Sequence, residues 1–370
     1  GEMWLLLVAL CLAQGLEDAI PGDEFFHNPE RFMNISEKIL FHGYPSEEYE
    51  VMTEDGYFLS LNRIPHGKEG TSCDPGPPDN KRNALHGFCL DGGDWVDNLP
   101  ENSLAFILAD AGYDVWIGNN RGSSWSRRHR SLSTASEEFW DFSFHEMAVY
   151  DLPAMVGFIL MQTEQKQLFY VGHAQGSSLG FIAFSSLPHL AKKIKLFFAL
   201  APVYTFHHVR GPVLKLAFLS DLLLKVQEVF LGGYCQNPGI SGNSCPLHYR
   251  CVMLEVFCPD GFSSFPTHLE NPFFFLTPHP PEPQVTGVLS PCQLRPPSYE
   301  IEAMRVPVAV WSGGHDWVTP HKETERLLSR LTHVVHHEHF PDWNHFDHHW
   351  GLNAPQRMYQ RMVAMMEENP

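Results

Sequence analysis

Gly172-His173-Ala174-Gln175-Gly176 lies between a short apolar run, residues 168–172, and a helix-forming stretch, residues 175–186. Its two glycines stand two residues either side of the centre, the spacing of the G-x-S-x-G nucleophile elbow, a strand-to-helix turn so tight that side chains at those positions would collide. The residue at the centre is Ala174. Outward from this turn, strand and helix signals alternate: helix 103–111, strand 113–117, helix 146–163 with Pro153 partway, then, after the elbow, strand 194–201. Such alternation predicts a mostly parallel sheet with helices on both faces. Residues 49–63 alternate around Asp55-Gly56 and predict an N-terminal β-hairpin, followed by a polar, proline-rich loop at 73–80. Between about 203 and 304 the alternation stops, and the chain becomes rich in proline and cysteine with apolar patches at 214–230 and 273–276, as expected of an inserted cap. It resumes with strand 306–311, helix 322–331, strand 334–340 and a C-terminal helix 355–368.

Length and composition agree with that organisation. A chain of 370 residues suits one large α/β domain carrying an insertion, and 44% hydrophobic with 18% charged residues excludes disorder for most of it. With 25 Lys+Arg against 43 Asp+Glu, a net charge of −18 argues against nucleic acid as a partner, because phosphate neutralisation needs clustered basic groups. Met3, the apolar run 4–12 and Ala13-Gln14-Gly15 have the form of a secretory signal, too short to span a bilayer. No other stretch reads as an uninterrupted membrane span. The expected segments are therefore a signal at 1–15, an N-terminal segment at 16–80, core at 81–202, cap at 203–304 and core again at 305–370. Passage through the secretory pathway, to a secreted or lysosomal destination, would permit glycosylation of Asn34 in the sequon Asn34-Ile35-Ser36, and disulfides. Beyond Cys11 in the signal stand Cys73, Cys89, Cys235, Cys245, Cys251, Cys258 and Cys292, an odd set that leaves at least one thiol unpaired.

Open α/β sheets bind ligands at the carboxyl ends of their strands. Two further strand ends carry chemistry: Gly313-Gly314-His315-Asp316, where a carboxylate can orient an imidazole, and Trp343-Asn344-His345-Phe346-Asp347, between the last strand and the last helix. The order elbow centre, acid, histidine is that of the α/β-hydrolases and differs from the two other common triad orders. His336, His337, His339, His345, His348 and His349 show no H-E-x-x-H or comparable ligand spacing, so an edge strand with exposed histidines is expected rather than a metal site, and no cofactor is implied.

Longer runs carry a family likeness: Gly43-Tyr44-Pro45-Ser46-Glu47-Glu48-Tyr49-Glu50-Val51, Thr53-Glu54-Asp55-Gly56-Tyr57, His86-Gly87 with Trp95 downstream, Leu108-Ala109-Asp110-Ala111-Gly112-Tyr113-Asp114-Val115-Trp116, Tyr150-Asp151-Leu152-Pro153-Ala154, and Gly351-Leu352-Asn353-Ala354-Pro355-Gln356-Arg357-Met358-Tyr359. By these runs the sequence resembles the animal acid lipases, the gastric, lysosomal and epidermal group. The 342–347 run looks closest to the epidermal members. The resemblance implies an α/β-hydrolase fold with a lid, and a carboxylic ester hydrolase acting on neutral lipid esters at a lipid–water interface. It maps Asp316 and His345 onto the acid and base, Ala174 onto the nucleophilic serine, the backbone amides of Phe88 and Gln175 onto the oxyanion hole, and Cys251 with Cys258 onto the cap disulfide of the gastric enzymes.

Five departures from the family accompany these matches, two of them being Phe88 in place of the usual leucine and a cap at 203–304 shorter than the family's. Ala174 has no lone pair with which to form an acyl-enzyme, and losing the serine of a comparable triad costs on the order of 10⁶ in kcat. Ser177 and Ser178 are expected one turn into the helix, aimed away from His345. Lys81-Arg82-Asn83-Ala84-Leu85 stands where a strand buried on both faces should be a Val/Ile/Leu run, and His145 where the family usually has an acid. Three readings follow: an ester hydrolase with a substituted nucleophile, a non-catalytic lipid-binding relative on the same fold, and a drifted product that folds poorly.

Overall fold

A computed structural model describes residues 29–68, 82–85, 92–203 and 299–369. The cap patches at 214–230 and 273–276, Phe88, and every cysteine lie outside the described residues.

One sheet organises the rest. Its strands are β1 (Glu47–Met52), β2 (Tyr57–Ile64), β3 (Arg82–Leu85), β4 (Tyr113–Gly118), β5 (Arg128–His129), β6 (Leu168–His173), β7 (Ile194–Leu200), β8 (Val308–Gly313) and β9 (Val334–Phe340). Their order is β1-β2-β4-β3-β6-β7-β8-β9, with β5 pairing β2 off this path. The hairpin β1/β2 and the β2/β4 pair are antiparallel, and from β4 to β9 every pairing is parallel. The short polar strand β3 sits in the interior of the sheet, Ala84 and Leu85 pairing with Phe169 and Tyr170 of β6, so backbone pairing overrides its weak sequence signal. The last strand, β9, pairs only with β8 among the described residues and carries His336, His337 and His339 at half-buried or exposed positions, whereas His345, His348 and His349 follow the strand and are buried, contrary to the expectation of exposed edge-strand histidines.

Alternation along the buried strands sends side chains to two cores. Tyr170, Phe197, Ala199 and Val310 join one cluster, while Phe169, Val171, Phe198 and Trp311 join the other. The first is covered by helices Leu152–Thr163 and Gln175–Ser186, through residues such as Met155, Ile159, Leu179 and Phe181. The second is covered by Leu104–Asp110 and the C-terminal helix Gln360–Glu368, through Phe106, Leu108 and Met362.

Two predicted helices carry a refinement. Both begin with a π-helical turn, Met147–Asp151 before Leu152–Thr163 and Pro355–Tyr359 before Gln360–Glu368. Pro153 supplies no N–H and crowds the carbonyl four residues back, and the wider turn just before it relieves both effects. The stretch Phe144–Thr163 is also long and apolar enough to cross a membrane by length and composition, contrary to the sequence reading. Its Met147, Ala148, Leu152, Met155, Val156 and Ile159 are buried in the first core, which is what its apolarity serves here. A short helix the sequence reading passed over, Ile35–Phe41, is closed by a capping box: Asn34 Oδ1 accepts from Glu37 N at 2.8 Å and Glu37 Oε2 accepts from Asn34 N at 2.8 Å.

The N-terminal hairpin is fastened to the core by Arg121. Its guanidinium donates to Asp55 in the hairpin turn and to Asp151 in the π turn, and lies 4.0 Å over the Tyr57 ring. Arg121 and Asp151 are both fully buried, so removal of either partner would leave an uncompensated charge in the interior.

Candidate active site

Strand β6 ends at His173, and helix Gln175–Ser186 begins one residue beyond Ala174. Ala174 is the pivot, with φ 50° and ψ −117°, a conformation that an L-residue adopts at a cost of about 1–3 kcal/mol. A Cβ on Gly172 would lie 2.7 Å from Gly176 C and 2.8 Å from Ser177 N, which is the physical reason for glycine there. The turn is fixed by Ala174 N donating to Leu200 O on β7 at 3.0 Å, and Ala174 is fully buried. Gln175 opens the helix, so its amide belongs to the first turn, where the helix itself offers no acceptor and the dipole favours negative charge.

The neighbouring hydroxyls are committed elsewhere. Ser177 Oγ donates to Gly172 O at 2.6 Å and Ser178 Oγ to Val203 O at 2.7 Å, and both residues are fully buried. Neither serine has the geometry of a substitute nucleophile, in agreement with their expected orientation.

Asp316 and His345 come together from β8 and β9. His345 Nδ1 donates to Asp316 Oδ2 at 2.8 Å, with both side chains buried. Three further donors hold the carboxylate: the backbone amides of Val318 and Thr319 at 2.8 and 2.7 Å on Oδ1, and Thr319 Oγ1 at 2.5 Å on Oδ2. Burial alone would raise the carboxyl pKa, but the imidazole charge and these hydrogen bonds outweigh it and bring Asp316 down to about 2. The acid is therefore ionised throughout the range in which an imidazole base works. Gly313 lets the two loops meet, since a Cβ there would lie 2.5 Å from Trp343 O. The loop carrying the base is stiffened by its own side chains, with Asn344 N donating to Asp347 Oδ2 at 2.6 Å and Phe346 N to Asn344 Oδ1 at 2.8 Å.

Sequence reasoning missed the histidines around the base. His173 Nε2 lies 3.0 Å, and His348 Nδ1 3.2 Å, from the carbonyl oxygen of His345. A carbonyl only accepts, so both nitrogens carry protons. The His173 ring also lies 4.7 Å from that of His345 and 4.2 Å from that of His349, which in turn packs edge-on against Trp95 at 4.3 Å. Burial, followed by the neighbouring imidazoles, holds the His173 pKa well below the usual range, and burial brings His348 to about 4. The one sign in the sequence is the closeness of His173 to the elbow centre and of His348 and His349 to His345. The other departure, His145, faces Tyr299, with His145 Nδ1 and Tyr299 Oη 2.7 Å apart.

Ala174, Asp316 and His345 thus follow the carboxyl ends of β6, β8 and β9, at one end of the sheet, with Gln175 next to the pivot; Phe88 lies outside the described residues.

Known proteins share the sequence and the fold. Residues 35–99 match the partial α/β-hydrolase lipase region, and residues 84–212 the α/β hydrolase fold. A lysosomal acid lipase/cholesteryl ester hydrolase of Macaca fascicularis is 42% identical, covering 98% of this chain and 98% of its own. The human protein of the same description is 42% identical over 92% of each chain, and human lipase member K is 41% identical over 99% of each. Among solved structures, an esterase of Pyrococcus furiosus superposes with a TM-score of 0.51 at 13% identity, covering 90% of this chain and 93% of that one. A membrane phospholipase A superposes with a TM-score of 0.52 at 14% identity, covering all of both chains. The structural matches establish the α/β-hydrolase fold, and the sequence matches over nearly the full length make this chain a member of the animal acid lipase family of ester hydrolases.

Proposed function

We propose that this chain binds fatty acyl esters of neutral lipids in the manner of an acid lipase, and that with Ala174 in the nucleophile's place it does not turn them over at lipase rates. The observation that carries this reading is a strained elbow centred on Ala174, φ 50°, alongside an intact Asp316–His345 pair at 2.8 Å. In this reading His345 is the base, Asp316 orients it, and the backbone amides of Gln175 and Phe88 stabilise the oxyanion. Such a site keeps its acid, base and amide donors, yet has no atom to attack the ester carbonyl. In this reading residues 203–304, nearly all of which lie outside the described residues, are the counterpart of the family's cap, and Cys251 and Cys258 of its disulfide. The leader at 1–15 and the sequon at Asn34 route the chain through the secretory pathway as a glycoprotein, a reading supported by relatives described as lysosomal. Triacylglycerols or similar neutral esters are the ligands in this reading.

Binding and chemistry are separable in this scheme, because an acyl chain gains about 0.8 kcal/mol for each methylene it buries whether or not a nucleophile waits at its end. Titration of the purified chain with fatty acids or non-hydrolysable esters, followed by calorimetry, tests it. Affinity is expected to rise about fourfold per added methylene over short and medium chains. Affinity independent of chain length, or no binding by the folded protein, overturns the lipid-binding reading.

A further inference from the structure

We infer that His173 is a positioning residue, whose side chain ties the elbow to the loop carrying His345 and so sets where the base stands relative to residue 174. The inference rests on the site assignment above and names a component which that assignment does not include. His173 is the last residue of β6 and His345 follows β9, and those two strands are separated in the sheet by β7 and β8. Backbone pairing within the sheet therefore does not fix their relative position directly. The bond from His173 Nε2 to His345 O, at 3.0 Å, spans that gap in one step, between residues 172 apart in sequence.

Its chemistry suits the task. A carbonyl acceptor requires the Nε2–H tautomer, and the ring is 97% buried, so water does not compete for the bond. The elbow holds the other end equally firmly: the peptide that follows His173 donates from Ala174 N to Leu200 O at 3.0 Å. The ring also packs edge-on against His349, with centroids 4.2 Å apart. His348 bonds the same carbonyl from within the base loop, at 3.2 Å, and so orders that loop without linking it to β6. Of these two bonds, the one from His173 joins the base loop to β6. A base displaced by about 1 Å loses on the order of a hundredfold in rate, so a single bond with this reach matters to the relay.

The test uses His173→Leu, which keeps an apolar branched side chain without the donor, and His173→Gln, whose Nε2 amide can reproduce it. In the chain as it stands, with alanine at 174, proton NMR follows the His345 Nδ1 proton shared with Asp316. Its exchange with water is expected to quicken at least about tenfold in His173→Leu and to return near the parent rate in His173→Gln. In the Ala174→Ser background kcat is expected to fall about 10- to 100-fold with KM little changed in His173→Leu, and to be largely restored in His173→Gln. Unchanged exchange in His173→Leu overturns the inference. So does equal loss in both variants in step with a lowered melting temperature, which marks a purely structural histidine. The exchange measurement needs no turnover, so an inactive Ala174→Ser protein would count against the functional assignment and leave the positioning role to be decided by NMR.

Discussion

Lowering the pH from 7 to 5 is expected to destabilise this protein through the imidazoles packed around its base. His173 and His348 are buried and held neutral, the first well below the usual range and the second at about 4, because their burial disfavours charge and the neighbouring imidazoles add to it. In His348 the Nε2 atom is buried with no hydrogen-bond partner among the described residues, so a proton added there would find no acceptor among them. In the unfolded chain both rings titrate near about 6.5. Their folded pKa is depressed, so the unfolded state binds more protons below that value; stability is full above it and falls as the pH drops. From pH 7 to pH 5 the His348 ring costs about 2 kcal/mol, and His173 adds a loss of the same sign. Asp151 acts in the opposite direction: burial raises it to about 6 despite Arg121, so the folded carboxyl gains its proton first and returns about 1 kcal/mol. His337 and His339 are depressed in the same sense as the buried pair, but their solvent contact makes their share small. Asp316, at about 2, enters only below the range of the experiment. The net expectation is a loss of at least about 1 kcal/mol, read from urea unfolding at a series of pH values. His348→Phe should remove the His348 share of the slope, whatever it does to stability at pH 7. A stability that is flat or rises from pH 7 to pH 5, or an unchanged slope in His348→Phe, refutes the reasoning.

Three further outcomes follow from the geometry. Gly172→Ala places a methyl group within 2.8 Å of backbone atoms of Gly176 and Ser177, and should lower unfolding stability by at least about 2 kcal/mol in denaturant, where an ordinary surface glycine would show little change. Asn34→Asp keeps an acceptor for Glu37 N and should leave the melting temperature of unglycosylated protein near its parent value, while Asn34→Ala should cost about 1 kcal/mol; on protein from a secreting cell, both should abolish any mass shift on glycosidase treatment. In the Ala174→Ser background, Asp316→Asn should lower kcat by about 10⁴ with KM nearly unchanged, because an amide cannot enforce the tautomer that its carboxylate imposes on His345.

The fold was legible wherever periodicity was strong. Helix 175–186 and strand 334–340 match the structure at both ends, and the other core elements agree within about two residues, because each buries a continuous apolar run or a clear face. Helix Ile35–Phe41 was overlooked because only Ile35, Ser36 and Ile39 are buried, too few for an apolar stripe, and its strongest signal is the Asn34/Glu37 capping pair. The π turns were illegible as well, since a proline announces a disturbed helix but not which widened turn will absorb it. Of the site, Ala174, Asp316 and His345 were readable from strand-end position and chain order. His173 and His348 were not, because their partner is a backbone carbonyl, which leaves no trace in side-chain patterning. Thr319 was missed for a related reason: its bonds to Asp316 arise from a local turn rather than from a motif.

In the proposed function the Asp316–His345 pair and the elbow remain, and what stops turnover is the hydroxyl missing at residue 174. The most direct measurement compares hydrolysis of a neutral acyl ester by the parent chain and by Ala174→Ser, purified alike and checked for equal folding. The parent should show no more than the residual catalysis that an oxyanion hole and binding provide. Ala174→Ser should gain on the order of 10³-fold or more in kcat, and the gain should vanish on adding His345→Ala. Hydrolysis at lipase rates by the parent, or an Ala174→Ser protein that folds and binds acyl chains yet gains nothing, would contradict it.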